Sequence, residues 1–284
     1  MERFFEKHGD VDPNEISVPL ASQELFRRHI NNIDKRWIFD RISDYIIPPG
    51  ACAPHFDFCR AYTWVLHFAA QRNLVEIAKV LIRNGASVNA VCKQNDLFSP
   101  IHFAASEGHA DFTQFLIQNG ARVDQTCRNG FTALQMAVLQ NHRNVVKLLI
   151  RYGANVNAVN KGSWTALHCA VFHRRVDLIK ILIENGANVL AEDVHYNSVL
   201  HVAAFLGYGN VAKMLVQNGA DANQVNKDLY TPLHLCVDRA FYACTLQLVC
   251  LGARYSKDTI RLDKTGFLRP IQEKLERLRN NKLI

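Results

Sequence analysis

No stretch of this 284-residue chain approaches the 18 or so consecutive apolar residues that a membrane-crossing helix needs, so none is expected. Its first ten residues, Met-Glu-Arg-Phe-Phe-Glu-Lys-His-Gly-Asp, lack a basic stretch leading into a long apolar one; that pattern argues against a secretory signal and for the cytosol or nucleus. No C-x-x-C pair occurs among the eight cysteines at 52, 59, 92, 127, 169, 236, 244 and 250, and their spacing builds no tetrahedral metal site. They read as reduced thiols, several of them where a small apolar side chain is wanted. Catalytic constellations are missing too. There is no Ser/His/Asp or Cys/His set, no phosphate-cradling glycine loop and no Glu beside a metal-type histidine pair, so an enzyme is not expected and no cofactor is called for. With only 14 glycines, 8 prolines and 21% charged residues against 49% hydrophobic ones, the composition is neither collagen-like nor that of a disordered chain.

Charge of one sign is concentrated at one end. The formal net charge is +7, and residues 254–284 hold nine Lys or Arg against four acids. Such a segment can dock an acidic partner or nucleic acid, or simply keep an end cap solvated. Interspersed carboxylates, and the lack of aromatic residues alternating with the bases, weigh against nucleic acid.

What the chain does have is a repeat. Gly-Ala pairs stand at 85/86, 120/121, 153/154, 186/187, 219/220 and 252/253, spaced by 35 and then four times by 33 residues. A second marker keeps the same period: Leu66-His67, Ile101-His102, Leu134-Gln135, Leu167-His168, Leu200-His201 and Leu233-His234, each followed two residues on by a small residue, from Ala69 to Cys236. Within one unit, Thr165 suits a helix N-cap, Val176 to Ile183 is apolar enough to bury most of a second helix, and Gly186 suits the left-handed residue that ends it. A two-helix unit of this size cannot bury its apolar face alone, so neighbours must stack.

The Thr231-Pro232-Leu233-His234 pattern with its Gly-Ala ends resembles the ankyrin repeat over residues 62–253, about two thirds of the chain. The resemblance implies an all-α ankyrin-repeat solenoid of stacked helix-turn-helix units, with β-hairpin-like fingers and a concave binding surface made of fingers and first helices. It makes the histidines structural, and it makes the function partner binding. Departures are Trp64-Val65 for Thr-Pro, Gln135 for histidine, and Leu97, Tyr196 and Leu229 where a finger glycine is common, which predicts altered fingers there. Two extra residues fall near Lys93 to Asp96. The expected organisation is an N-terminal helical cap (1–61, with helical spacing from Leu25 to Ile46 stopped by Pro48-Pro49-Gly50), six repeats (62–253) and a basic C-terminal cap (254–284).

In the family the residue before the Thr-Pro slot, and the last residues of the first helix, face the concave side. Here the first set reads Phe98, Phe131, Trp164, Asn197 and Tyr230, and the second includes Leu139, Phe172, His173, Phe205 and Arg239. Phe131, Leu139, Trp164, Phe172, Phe205 and Tyr230 are expected to form an apolar strip across repeats three to five, rimmed by Glu107, Asp238 and Arg239 and suited to a protein or peptide partner. Two further resemblances bear on partners. Asn89 and Asn157, each in Val-Asn-Ala, look like sites of the asparaginyl hydroxylase that modifies many ankyrin proteins. Thr245-Leu246-x-x-x-Cys250 with Leu268-x-Pro270 is similar to a degenerate SOCS box, which would imply elongins B and C and a cullin-RING ubiquitin ligase; the same segment is also the expected second helix of repeat six.

Overall fold

The computed structural model describes residues 58–92 and 97–254, together with Gly266. The expected caps at 22–46 and 263–281, and the inserted residues 93–96, lie outside the described residues. These contain twelve α-helices and fall into two compact regions, 58–69 with 76–87, and 70–75 with 88–254.

The first region is built from α1 (Phe58–Gln71) and α2 (Val75–Arg83), with Leu66, Ala69, Ile77, Ala78 and Leu81 buried. Helix α1 has 14 residues where each later first helix has seven. In sequence, Trp64 falls at the position at which the other units place a Ser or Thr cap, so no hydroxyl cap marks a later start for this helix.

In the second region five helix pairs follow: α3 (Pro100–Ser106) with α4 (Ala110–Gln118), α5 (Ala133–Leu139) with α6 (Arg143–Arg151), α7 (Ala166–Phe172) with α8 (Val176–Glu184), α9 (Val199–Phe205) with α10 (Gly209–Gln217), and α11 (Pro232–Asp238) with α12 (Tyr242–Cys250). We number these pairs two to six. They stack into a continuous core in which Ile101, Leu134, Leu167, Leu200 and Leu233 repeat one position, and Ala104, Ala137, Ala170, Ala203 and Cys236 repeat the small one that lets helices approach. Burying each leucine contributes about 2 kcal/mol.

The first helices start at extended caps: Thr132, Thr165, Ser198 and Thr231 each accept through the side chain from the amide three residues on. The side chain of that third residue returns the bond, as when His168 Nδ1 accepts from Thr165 N–H at 3.2 Å. Second helices end as at Gly186, whose φ of 83° lets the Ala187 amide reach back to the Leu182 carbonyl at 2.9 Å.

No extended strand occurs among the described residues. Single antiparallel bridges (Cys92 to Phe98, Thr126 to Thr132, Glu192 to Ser198) make the fingers hairpin-like. Their tips are tied in a row by amide-to-carbonyl bonds from Lys161 to Asn129, Val194 to Gly162 and Lys227 to His195, at 3.0–3.2 Å. Fingers without the usual glycine keep the same backbone, contrary to the sequence expectation: Leu97, Tyr196 and Leu229 hold φ of 61°, 58° and 62° beside 81° at Gly130.

Candidate binding face

An aromatic residue before a cap has its backbone and its ring engaged separately, as Trp164 and Tyr230 show. Its carbonyl accepts from the preceding unit: His102 Nε2 donates to Phe131 O (3.1 Å), Gln135 Nε2 to Trp164 O (2.7 Å) and His201 Nε2 to Tyr230 O (2.9 Å). Because Nδ1 of these imidazoles accepts from the cap amide, the proton sits on Nε2, and the ring is a neutral bridge between units. Its own ring lies against the histidine of its own unit: Phe98 on His102 at 5.5 Å, Trp164 on His168 at 5.8 Å and Tyr230 on His234 at 5.8 Å between centroids.

Burial drives protons off His168 and His201. His168 is pushed down to about 4, chiefly by desolvation, with Asn197 and Asp193 opposing; His201 moves in the same direction for the same leading reason. His173, at the end of α7, is lowered first by burial and then by the neighbouring charge of Arg175.

The strip residues lie at different depths. Phe131 and Trp164 are 6% and 7% exposed, so they form a floor. Phe172 meets Trp164 edge-on at 5.5 Å and is half-buried, as are Leu139, Phe98 and Phe205. Tyr230 is 39% exposed. In the fifth unit Asn197 replaces the aromatic residue and is buried in a polar network, giving an amide hydrogen to Asp193 Oδ2 (3.2 Å) and accepting from Asn226 Nδ2 (2.8 Å). Arg239 lies 3.6 Å above the ring of Phe205, and Arg174, which the sequence reading did not single out, lies 5.2 Å above Tyr208. The signal for Arg174 was available: it stands where the other units carry Gly108, Asn141, Gly207 and Ala240.

Asn89 and Asn157 are staples between units. Asn157 Nδ2 donates to Gly186 O (3.0 Å) while its Oδ1 accepts from Asn188 N–H (2.7 Å), and Asn89 does the same with Gly120 O and Arg122 N–H (2.9 and 2.8 Å). Asn223 repeats this with Gly252 and Arg254 and was missed, although it lies two periods after Asn157. Thr245 and Leu248 are buried in α12, which ends at Gly252-Ala253 like its counterparts. Leu268 and Pro270 lie outside the described residues, as does nearly all of the basic segment. Among the described residues no three His, Cys, Asp or Glu gather as metal ligands, and no helix is long and apolar enough to cross a membrane.

Family models for ankyrin repeats match residues 66–160 and 125–193 (a three-copy model) and 195–227 (a single repeat), together more than half of the chain. No curated protein matches it.

Proposed function

The chain belongs to the ankyrin repeat family, whose repeats are protein-binding modules, and from that premise we propose that it is a non-enzymatic scaffold. The partner is a segment of another protein, held on the face formed by the fingers and first helices of units three to five, with Tyr230 and Arg239 of unit six at its border.

The observation that supports this reading is the graded exposure of the strip residues. Phe131 and Trp164 are buried and make an apolar floor, Phe172 and Phe205 are half-covered, and Tyr230 is 39% exposed. A floor that is already packed costs little ordering on binding, and rings at its edge supply the anchors that dominate interface energy, about 2 kcal/mol or more each.

The test is affinity capture by the full chain and by a Phe172→Ala/Tyr230→Ala variant, with circular dichroism and melting to show that both fold. Loss of specific partners from the folded variant supports the reading. Retention of all of them would place binding elsewhere on the molecule.

A further inference from the structure

Arg174 of unit four and Arg239 of unit six lean on the same inner turn from opposite sides. That turn, Phe205-Leu206-Gly207-Tyr208 of unit five, presents two rings, and each carries one guanidinium: Arg239 over Phe205 at 3.6 Å and Arg174 over Tyr208 at 5.2 Å. Gly207 makes the approach from unit six possible. A Cβ there would come within 2.8 Å of the Phe241 ring, so only glycine lets Phe241 pack down and bring Arg239 over its neighbour. Neither guanidinium enters an ion pair among the described residues, and both side chains are at the surface.

Arg174 also holds a backbone that suits it poorly. Its φ is 53°, in the left-handed region where the equivalent turns use Gly108, Asn141, Gly207 and Ala240. Gly or Asn would relax that strain, yet an exposed arginine is kept. A guanidinium stacked on a ring is pre-oriented: its faces are occupied, and its edge donors remain for a planar bidentate acceptor.

We propose that Arg174 and Arg239 form a paired guanidinium clamp for two carboxylates of an acidic segment of the partner protein. This rests on the binding face proposed above and names the chemistry of its occupant. Charge is the argument for that occupant. The inner turns of units four to six carry Arg174, Arg175 and Arg239 against Asp238, and Asp177 in the first turn of α8 faces Arg143 at 3.9 Å. A single-stranded nucleic acid would stack its bases on ring faces, and the rings of this turn, Phe205 and Tyr208, each already carry a guanidinium over one face.

The experiment is selection of displayed dodecapeptides on the full chain, followed by fluorescence polarisation with the strongest peptide on wild type, Arg174→Asn/Arg239→Gln and Phe172→Ala/Tyr230→Ala. The clamp requires that selected peptides carry at least two Asp or Glu near an apolar anchor. Affinity should then fall about tenfold or more in the arginine variant, and equally when the peptide's acids become amides, with no further loss when both changes are combined. The single Arg174→Asn protein should melt no lower than wild type, because asparagine fits the turn. Neutral peptides that bind the arginine variant normally but are lost with Phe172→Ala/Tyr230→Ala would overturn the clamp and leave the face standing. Peptides indifferent to both variants, or none selected, would overturn both. Displacement of an acidic peptide by millimolar inorganic phosphate would overturn the commitment to carboxylates.

Discussion

Gln135 donates from Nε2 to the carbonyl oxygen of Trp164 at 2.7 Å, the bond that His201 makes to Tyr230 at 2.9 Å. A primary amide and a neutral imidazole are therefore equivalent here, since each accepts from the cap amide on one side and donates to the next finger on the other.

His168 shares the cap side of this arrangement, its Nδ1 accepting from the Thr165 amide at 3.2 Å, while its buried Nε2 meets no acceptor among the described residues, so it should accept the same exchange. Its pKa in the folded chain is about 4 against an ordinary 6.5, so the unfolded chain binds the extra proton first. Its contribution to stability is full above about pH 6.5 and is lost progressively as pH falls toward 4. We expect the melting midpoint to drop between about pH 7.5 and 5, and His168→Gln to fold with a smaller drop. An identical pH dependence in the variant would contradict this; His201 and His173, lowered in the same direction, contribute to the remainder.

Two glycines at positive φ should differ in cost. Around Gly186 (φ 83°) an added Cβ meets nothing within 4 Å, so Gly186→Val strains only the backbone, by about 1–2 kcal/mol. At Gly207 (φ 71°) the added Cβ strikes the Phe241 ring, so even Gly207→Ala should cost more and loosen unit six. Denaturant titration ranks the two. An unchanged profile for Gly186→Val would mean that this residue does not govern the helix end.

Trp164→Ala should cost about 3–5 kcal/mol of stability, because it empties the floor of the aromatic cluster. Tyr230→Ala, at a side chain already 39% exposed, should cost well under half of that. Equal losses in urea titrations would contradict the assigned depths. Tyr230, rather than Trp164, is therefore the position at which binding can be probed with least disturbance of the fold.

The asparagine staples allow a gain as well as a loss. Asn157→Ala removes two bonds between neighbouring units and should cost about 1 kcal/mol. Leu190 occupies the same position one period later, half exposed and unable to staple, so Leu190→Asn should stabilise by a few tenths to 1 kcal/mol. Melting of both variants checks the pair, and a destabilising Leu190→Asn would show that the leucine packs usefully where it is.

The fold was legible because the units are bound to a period. Every unit supplies a small residue for close helix approach and a helix-ending glycine at fixed spacing, and all but the first a Ser or Thr cap, so the 33-residue series and the positions of Leu66, Leu167 and Gly186 announced it. Depth within the face was less legible. Spacing placed Phe131, Trp164 and Tyr230 in one row, but how far each ring sinks depends on what its neighbours offer: Trp164 meets Phe172, whereas Tyr230 lies on His234 with its outer side open. The arginines were less legible still, since stacking of Arg174 and Arg239 joins units four, five and six, and the one mark it leaves is Arg174 itself at a turn position that the other units give to Gly, Asn or Ala. Leu97, Tyr196 and Leu229 taught the opposite lesson. Each keeps the left-handed backbone without the glycine that favours it, its amide closing the finger's own turn onto Cys92 O, Asp193 O or Asn226 O at 2.9–3.0 Å.

The central claim is that the partner lies on the face of fingers and first helices. A photo-activatable cross-linker placed at Tyr230, and in a second protein at the exposed Lys213 of α10, tests this most directly. The account expects a discrete cross-linked protein from position 230 and none from 213. Cross-linking of that protein from position 213 with none from 230 would contradict it.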